Sequence, residues 1–132
     1  MSNRHPKFYT ILNAKGATGI GNVIDVRDCQ QITVAYATSG TTTATVKFAG
    51  ANKEASPTFS SAQSATNIWD YVAVLDLNSG SAITGDTGIA LSGSDDVRLL
   101  EINTTSLSYI TIIVTAWTQG ALYAYAMITE NV

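Results

Sequence analysis

Residues 107–129, LSYITIIVTAWTQGALYAYAMIT, consist of two apolar runs, rich in β-branched and aromatic side chains, on either side of a Thr118-Gln119-Gly120 turn. A similar unit spans residues 32–48 around Ser39-Gly40. Side chains of this kind pack well on a pleated surface and lose freedom in a helix. Neither run carries a side chain suited to act as a catalytic group. Ile32 and Ile112 each stand eight positions before a turn glycine, Gly40 and Gly120. Both units are read as hairpins, one in each of two sheets.

The rest of the chain fits that reading. Of 132 residues, 45% are hydrophobic and 13% charged, about half the usual charged share. Thr alone fills 18 positions. One domain of this length buries enough surface to need no disulfide or metal staple. In residues 30–37, Ile32, Val34 and Tyr36 point one way while Gln31, Thr33, Ala35 and Ala37 point the other, the period of a half-buried strand. Ala44, Val46 and Phe48 continue the inward set after the turn. Further strands are expected over residues 7–13, 22–26, 67–77 and 96–103, with a short one around Ile89. In the strand at 67–77, Trp69, Tyr71, Ala73 and Leu75 share a phase. Residues 50–66 form the longest polar excursion and are expected to be an exposed loop. No window shows a capped apolar repeat of helical period.

The fold expected is all-β: a single-domain β-sandwich, jelly-roll or immunoglobulin-like, with about eight strands and very little helix. Residues 1–13 supply an N-terminal arm and first strand, and residues 14–132 the sandwich. Ile110, Ile112 and Val114 occupy one face of the last unit's first strand, and Tyr109, Ile113 and Trp117 the other. A strand apolar on both faces is central in its sheet or covered on its second face.

Reactive chemistry finds little support. His5 is the sole histidine and Cys29 the sole cysteine, too few for a His/Cys metal cluster or an activated thiol. Cys29 is expected to be a buried, inert thiol. Glycines 16, 19 and 21 stand in the reverse order of a dinucleotide fingerprint. Asp76, Asn78 and Gly80 resemble a calcium loop, but Ser81 and Thr87 occupy its two diagnostic positions. Asp86, Asp95 and Asp96 are loop carboxylates best explained by solubility. The expectation is no enzyme, no cofactor and no metal site. A net charge of −3 supplies no field for nucleic acid, although Arg4, Lys7 and Lys15 put a local basic arm near the start. No stretch approaches the roughly 20 apolar residues of a membrane span, and no signal-peptide pattern opens the chain. Synthesis in a host cytoplasm is expected.

Aromatics are the side chains most suited to recognition. Trp69 and Trp117 are expected to fill core, while Tyr123 and Tyr125 share a face flattened by Ala121, Ala124 and Ala126. The candidate interaction residues are Arg4, Lys7, Phe8, Tyr9, Trp117, Tyr123 and Tyr125.

Several segments together resemble the small β-sandwich proteins of tailed-bacteriophage virions, both capsid decoration (cement) proteins and tail or baseplate accessory proteins. They are Val23 to Val26, the ITVAYATSGTTTATVKFAG unit, the Trp69 to Leu77 segment, the TGDTGI turn and the final unit. The resemblance implies a non-enzymatic virion protein that binds the major capsid protein lattice or other virion proteins and forms a homo-oligomer on a symmetric platform. It also implies that the arm clasps a neighbouring subunit. The alternatives are a tail, collar or fibre component, or a carbohydrate- or receptor-binding module using Tyr71, Trp117, Tyr123 or Tyr125.

Overall fold

A computed structural model describes the backbone of residues 4–94 and 96–131 and the side chains of residues 6–91 and 96–128. These residues form twelve strands and no helix: β1 (Arg4–Lys15), β2 (Gly19–Ile20), β3 (Ile24–Asp25), β4 (Gln31–Ser39), β5 (Thr41–Ala51), β6 (Asp70–Tyr71), β7 (Val74–Asp76), β8 (Ser81–Ile83), β9 (Ile89–Ser94), β10 (Val97–Asn103), β11 (Tyr109–Trp117) and β12 (Ala121–Asn131). One sheet, here sheet A, has the order β1-β12-β4-β10-β7-β8. Sheet B has the order β2-β11-β5-β6, with β3 also on β11 and β9 also on β5. All pairings are antiparallel. The molecule is a β-sandwich.

The two long units are not hairpins. β4 lies in sheet A and β5 in sheet B; β11 lies in sheet B and β12 in sheet A. Each unit is therefore an arch, and the two arches stack. β4 pairs with β12 from Ser39 opposite Ala121 to Ile32 opposite Ile128. β5 pairs with β11 from Ala51 opposite Tyr109 to Ala44 opposite Trp117. The equal spacing before Gly40 and Gly120 is the matched reach of the two arches. Both glycines adopt positive φ, 76° and 87°, which a side chain resists. Gly120 has a second constraint, because a Cβ there would run into Thr42 Oγ1 and come within 3.0 Å of the Ser39 carbonyl. Thr118 fastens the stack by donating from N and Oγ1 to the Thr43 carbonyl, at 3.0 and 3.1 Å.

Period-2 alternation fills the interior. β4 buries Ile32, Val34, Tyr36 and Thr38; β12 buries Leu122, Ala124, Ala126 and Ile128; β11 buries Ile110, Ile112 and Val114. Each fully buried aliphatic or aromatic side chain contributes about 1.5–3 kcal/mol. Buried hydroxyls satisfy backbone groups as burial requires: Thr104 donates to the Cys29 carbonyl and Thr111 to that of Asn22, while the single Ser108 proton is directed at the Lys53 carbonyl at 2.6 Å with that of Ala51 also in reach at 3.0 Å. Cys29 is buried.

Other expectations change in structural terms. The segment 67–77 is two short strands in different sheets, β6 in B and β7 in A, because the chain crosses the sandwich at residues 72–73. Trp69 is buried and Ala73 exposed, so they share no phase. The excursion is largely exposed, as expected, over residues 52–56 and 60–66, but it is anchored to the sandwich. Residues 52–69 fold back over the outer face of sheet B, where Phe59 and Trp69 pack with Ala49 and Ala51, joined by Ile20, Tyr71, Tyr109 and Ile113. Asn67 braces it: its Oδ1 accepts from Thr58 N at 2.9 Å, and its Nδ2 donates to the carbonyls of Thr58, Ser61 and Ala62. β11 is thus central, with its second face covered by the chain itself. A register shift between Val114 and Ala116 turns Trp117 off that second face and onto the main core.

The N-terminal segment also differs. Residues 4–15 are a full strand hydrogen-bonded to β12 of the same chain, from Arg4 opposite Asn131 to Lys15 opposite Leu122. No break falls at residue 13. Register shifts around Leu12 let both Ile11 and Leu12 turn inward.

Candidate interaction surface

Residues directly opposite in antiparallel strands share a face, so the register assembles the outer side of sheet A. Tyr123 lies beside Ala37, which lies beside Val97. The next row runs Thr10, Tyr125, Ala35, Leu99. The third runs Phe8, Met127, Thr33, Glu101, Leu75. Leu77 joins the second row by donating its N–H to the Leu99 carbonyl. Large apolar side chains here stay open to solvent: Phe8 at 74%, Val97 at 58%, Leu99 at 52% and Tyr125 at 45%. Met127 and Leu77 are also exposed. Tyr123 and Tyr125 stack with ring centroids 6.5 Å apart and planes 22° apart.

The relief is uneven. In these three rows β4 contributes only Thr33, Ala35 and Ala37, between the large side chains of β12 and those of β10. The face is therefore a trough along β4 with a ridge on each side. A separate open depression of about 460 Å³ lies beyond the β10 ridge, at Leu77, Asn78, Val97, Arg98 and Leu99. The flattening alanines are those of β4, because Ala124 and Ala126 point into the core.

The structure brings Phe8, Tyr123 and Tyr125 onto this one face. Tyr9 sits at the sandwich margin instead, lining a depression with Asp25, Arg27, Asp28 and Cys29. Lys7 is exposed on β1, and the Arg4 side chain lies outside the described residues. Trp117 is half-buried and donates from Nε1 to the Gly120 carbonyl at 3.0 Å, which ties it to the arch. Sequence reasoning missed Val97, Leu99, Met127 and Leu77. Their sole local signal is an outward phase in a strand.

Titratable groups serve structure. Arg27 donates to both Asp25 carboxylate oxygens and lies over the Tyr109 ring at 5.6 Å. That side-chain pairing holds the Asp25 carboxyl below its ordinary value against the opposing effect of burial, with the Arg27 N–H and its charge adding to it. Asp96 pairs with Arg98 at 2.8 Å, and Asp76 accepts from Asn78 N in the β7–β8 turn. Asp95 lies outside the described residues. No group of three His, Cys, Asp or Glu among the described residues could hold a metal. Among the described residues no hydrogen-bond partner reaches the Tyr36 hydroxyl. Burial, then the nearby Asp96 charge, pushes its pKa well above the ordinary value.

The fold and this face define an all-β sandwich with one covered and one uncovered outer surface. No protein-family model matches the sequence, and no curated protein matches it. Solved structures do. The SPBc2 prophage-derived protein YomS superposes with a TM-score of 0.68 at 11% identity, over 98% of this chain and 97% of its own. The PBSX exported protein XepA superposes with a TM-score of 0.71 at 12% identity, over 96% of this chain but 38% of its own. At these identities the likeness is one of fold, and that fold is found in a prophage-derived protein.

Proposed function

We propose that this chain is a non-enzymatic structural protein of a bacteriophage virion, most specifically a decoration or cement protein on the major capsid protein lattice. The observation that carries the reading is a broad apolar sheet face left uncovered on a rigid sandwich. The fold shared along its whole length with prophage-derived YomS supports the phage setting. A virion accessory protein gains affinity by repetition, since contacts of moderate strength act together on a symmetric lattice. It needs stiff surface rather than reactive groups.

β1 offers the lattice a second kind of contact. It is the edge strand of sheet A, and among the described residues no strand pairs with its other side. A neighbour's extended segment can add there through main-chain hydrogen bonds. The expected clasp is thus recast: this segment receives a strand rather than reaching out as one.

A gradient separation of particles from lysates of the encoding cells, followed by immunoblotting, tests the reading. Constant stoichiometry with heads supports decoration. Co-migration with tails selects the tail, collar or fibre alternative. Recovery in the soluble fraction alone refutes a virion role. The stacked Tyr123–Tyr125 pair favours one other reading, a glycan platform, because sugar rings stack on exposed aromatic faces. A glycan array decides it, with Tyr125→Ala as the control. Trp117 packs against the main core and Tyr71 with the cluster on sheet B, so neither extends such a platform.

A further inference from the structure

We propose that the outer face of sheet A is covered by a second copy of this chain, so that the working unit is a self-associated sandwich. This rests on the same face as the virion reading and deepens it: the face joins two copies, and the outer edge of β1 is left for the lattice. Three features of the face select a second copy over another occupant.

The first is charge. The chain carries a net charge of −3, so two copies repel unless they meet where charge is sparse. In the three rows of the face, Glu101 is the one charged side chain. Asp25, Asp28, Glu54, Asp70 and Asp86 lie instead at the β3 corner, in the excursion over sheet B, on β6 of sheet B or in turns. A basic partner would be met by an acidic face, and this face is neutral across its centre.

The second is relief. The ridge of Tyr123, Tyr125 and Met127 and the trough of Ala37, Ala35 and Thr33 are adjacent strands in matched register. A twofold axis in the interface plane along the β4–β12 boundary seats each ridge in the other copy's trough. Tyr125 then meets the partner's Ala35, Tyr123 the partner's Ala37, and Met127 the partner's Thr33. Large-on-small matching of this kind fills the about 10 Å between face-packed sheets. Isologous contacts require such self-complementarity.

The third is size. That axis superposes four strands, β1, β12, β4 and β10; at about 4.8 Å per strand and about 3.4 Å for each of seven residues they give about 19 by 24 Å, or about 460 Å² before side-chain relief. Standard stable interfaces take about 800 Å² from each partner, so the association expected is a modest one.

The test is the mass of the full chain in solution, by light scattering on an eluting column and by sedimentation equilibrium. The wild type is expected at a multiple of 13.9 kDa. Tyr125→Glu and Leu99→Glu, both at exposed positions, should weaken association by at least about 30-fold, the loss typical when a central interface anchor is removed. Ile68→Glu, exposed but on the excursion over sheet B, should leave the mass unchanged. Hydroxyl-radical footprinting of the wild type needs no variant: Phe8, Tyr125 and Met127 should become protected as concentration rises. A wild type that stays monomeric at about 100 µM, far above the micromolar range of even modest complexes, overturns the proposal and leaves the face to another occupant. So does an oligomer whose mass and footprint ignore these residues. Neither result bears on whether the protein sediments with particles.

Discussion

Replacing Trp69 by Ala should release residues 52–69 from sheet B. The indole is buried under the excursion, with its ring 5.8 Å from Phe59 and 5.2 Å from Tyr71, the latter edge-on at 85°. Its Nε1 donates to the Ser61 carbonyl at 3.3 Å. Truncating a buried Trp costs about 3–5 kcal/mol, of which each aromatic pair accounts for about 0.5–1.5 kcal/mol. For 132 residues, an unfolding entropy of about 2.1 cal/mol/K per residue gives about 0.28 kcal/mol/K. A loss of about 4 kcal/mol then lowers Tm by about 14 °C if the excursion and the main core unfold as one. The excursion forms its own small cluster, so part of the loss should instead appear as local opening. Chymotrypsin reads that opening at Phe59, which is buried in the intact protein. The variant should be cut after Phe59 while still folded by circular dichroism. A Tm within about 2 °C of wild type, under 1 kcal/mol on the same scale, with Phe59 still resistant would show that the excursion does not depend on this packing.

The arch turns and the core tyrosine give two further expectations. Gly120→Ala should cost at least about 2 kcal/mol, because positive φ alone costs an L-residue about 1–2 kcal/mol and the new Cβ also meets Thr42; Gly40→Ala, with open space around it, should cost the backbone share alone. Equal losses in urea unfolding would remove the stacked-arch explanation. Tyr36→Phe should stabilise by about 1 kcal/mol, since it deletes a buried hydroxyl without a partner among the described residues. The pH dependence has a definite sign. As pH rises past the ordinary tyrosine value of 10.0, the unfolded chain loses this proton while the folded chain keeps it, so stability falls by up to about 1.4 kcal/mol per pH unit. The Phe variant should lack that share of the alkaline loss, and urea midpoints at about pH 9 and about pH 11, on either side of that value, would show whether it does.

What the sequence exposes is phase within a strand. Ile32, Val34 and Tyr36 face the core as their alternation requires, and the Tyr123–Tyr125 pair shares a face because two residues apart means the same side. What it hides is pairing. A turn glycine with positive φ serves a hairpin and an arch equally, so nothing local in TSGTT or TQGAL says whether the returning strand stays in its sheet. The extra residue at Thr115 carries no sequence mark, yet it rephases Trp117. Phe59 stands among serines, threonines and alanines, and only the buried Trp69 ten positions later makes that stretch a cover for sheet B. Of the candidate face the sequence offered Phe8, Tyr123 and Tyr125, without placing Phe8 beside the pair. Phe8, Leu99 and Val97 join them through register with β12 and β4, which no single segment encodes.

The unequal treatment of the two outer faces follows from the connections. Sheet B is covered because residues 52–69 separate β5 from β6, long enough to fold back across it. Every other link between strands is short: one residue between β4 and β5, three between β11 and β12, five between β10 and β11. At about 3.4 Å per residue, five residues reach about 17 Å, less than the length of β10 alone. No connection of sheet A can lie across its outer side. The side chains exposed there gain little from folding, since burial is what makes an apolar group stabilising. Leu99, Val97 and Phe8 could be polar at small cost to the isolated fold, as outward positions of a half-solvated antiparallel sheet ordinarily are. Their apolar character is the feature that the proposed association uses.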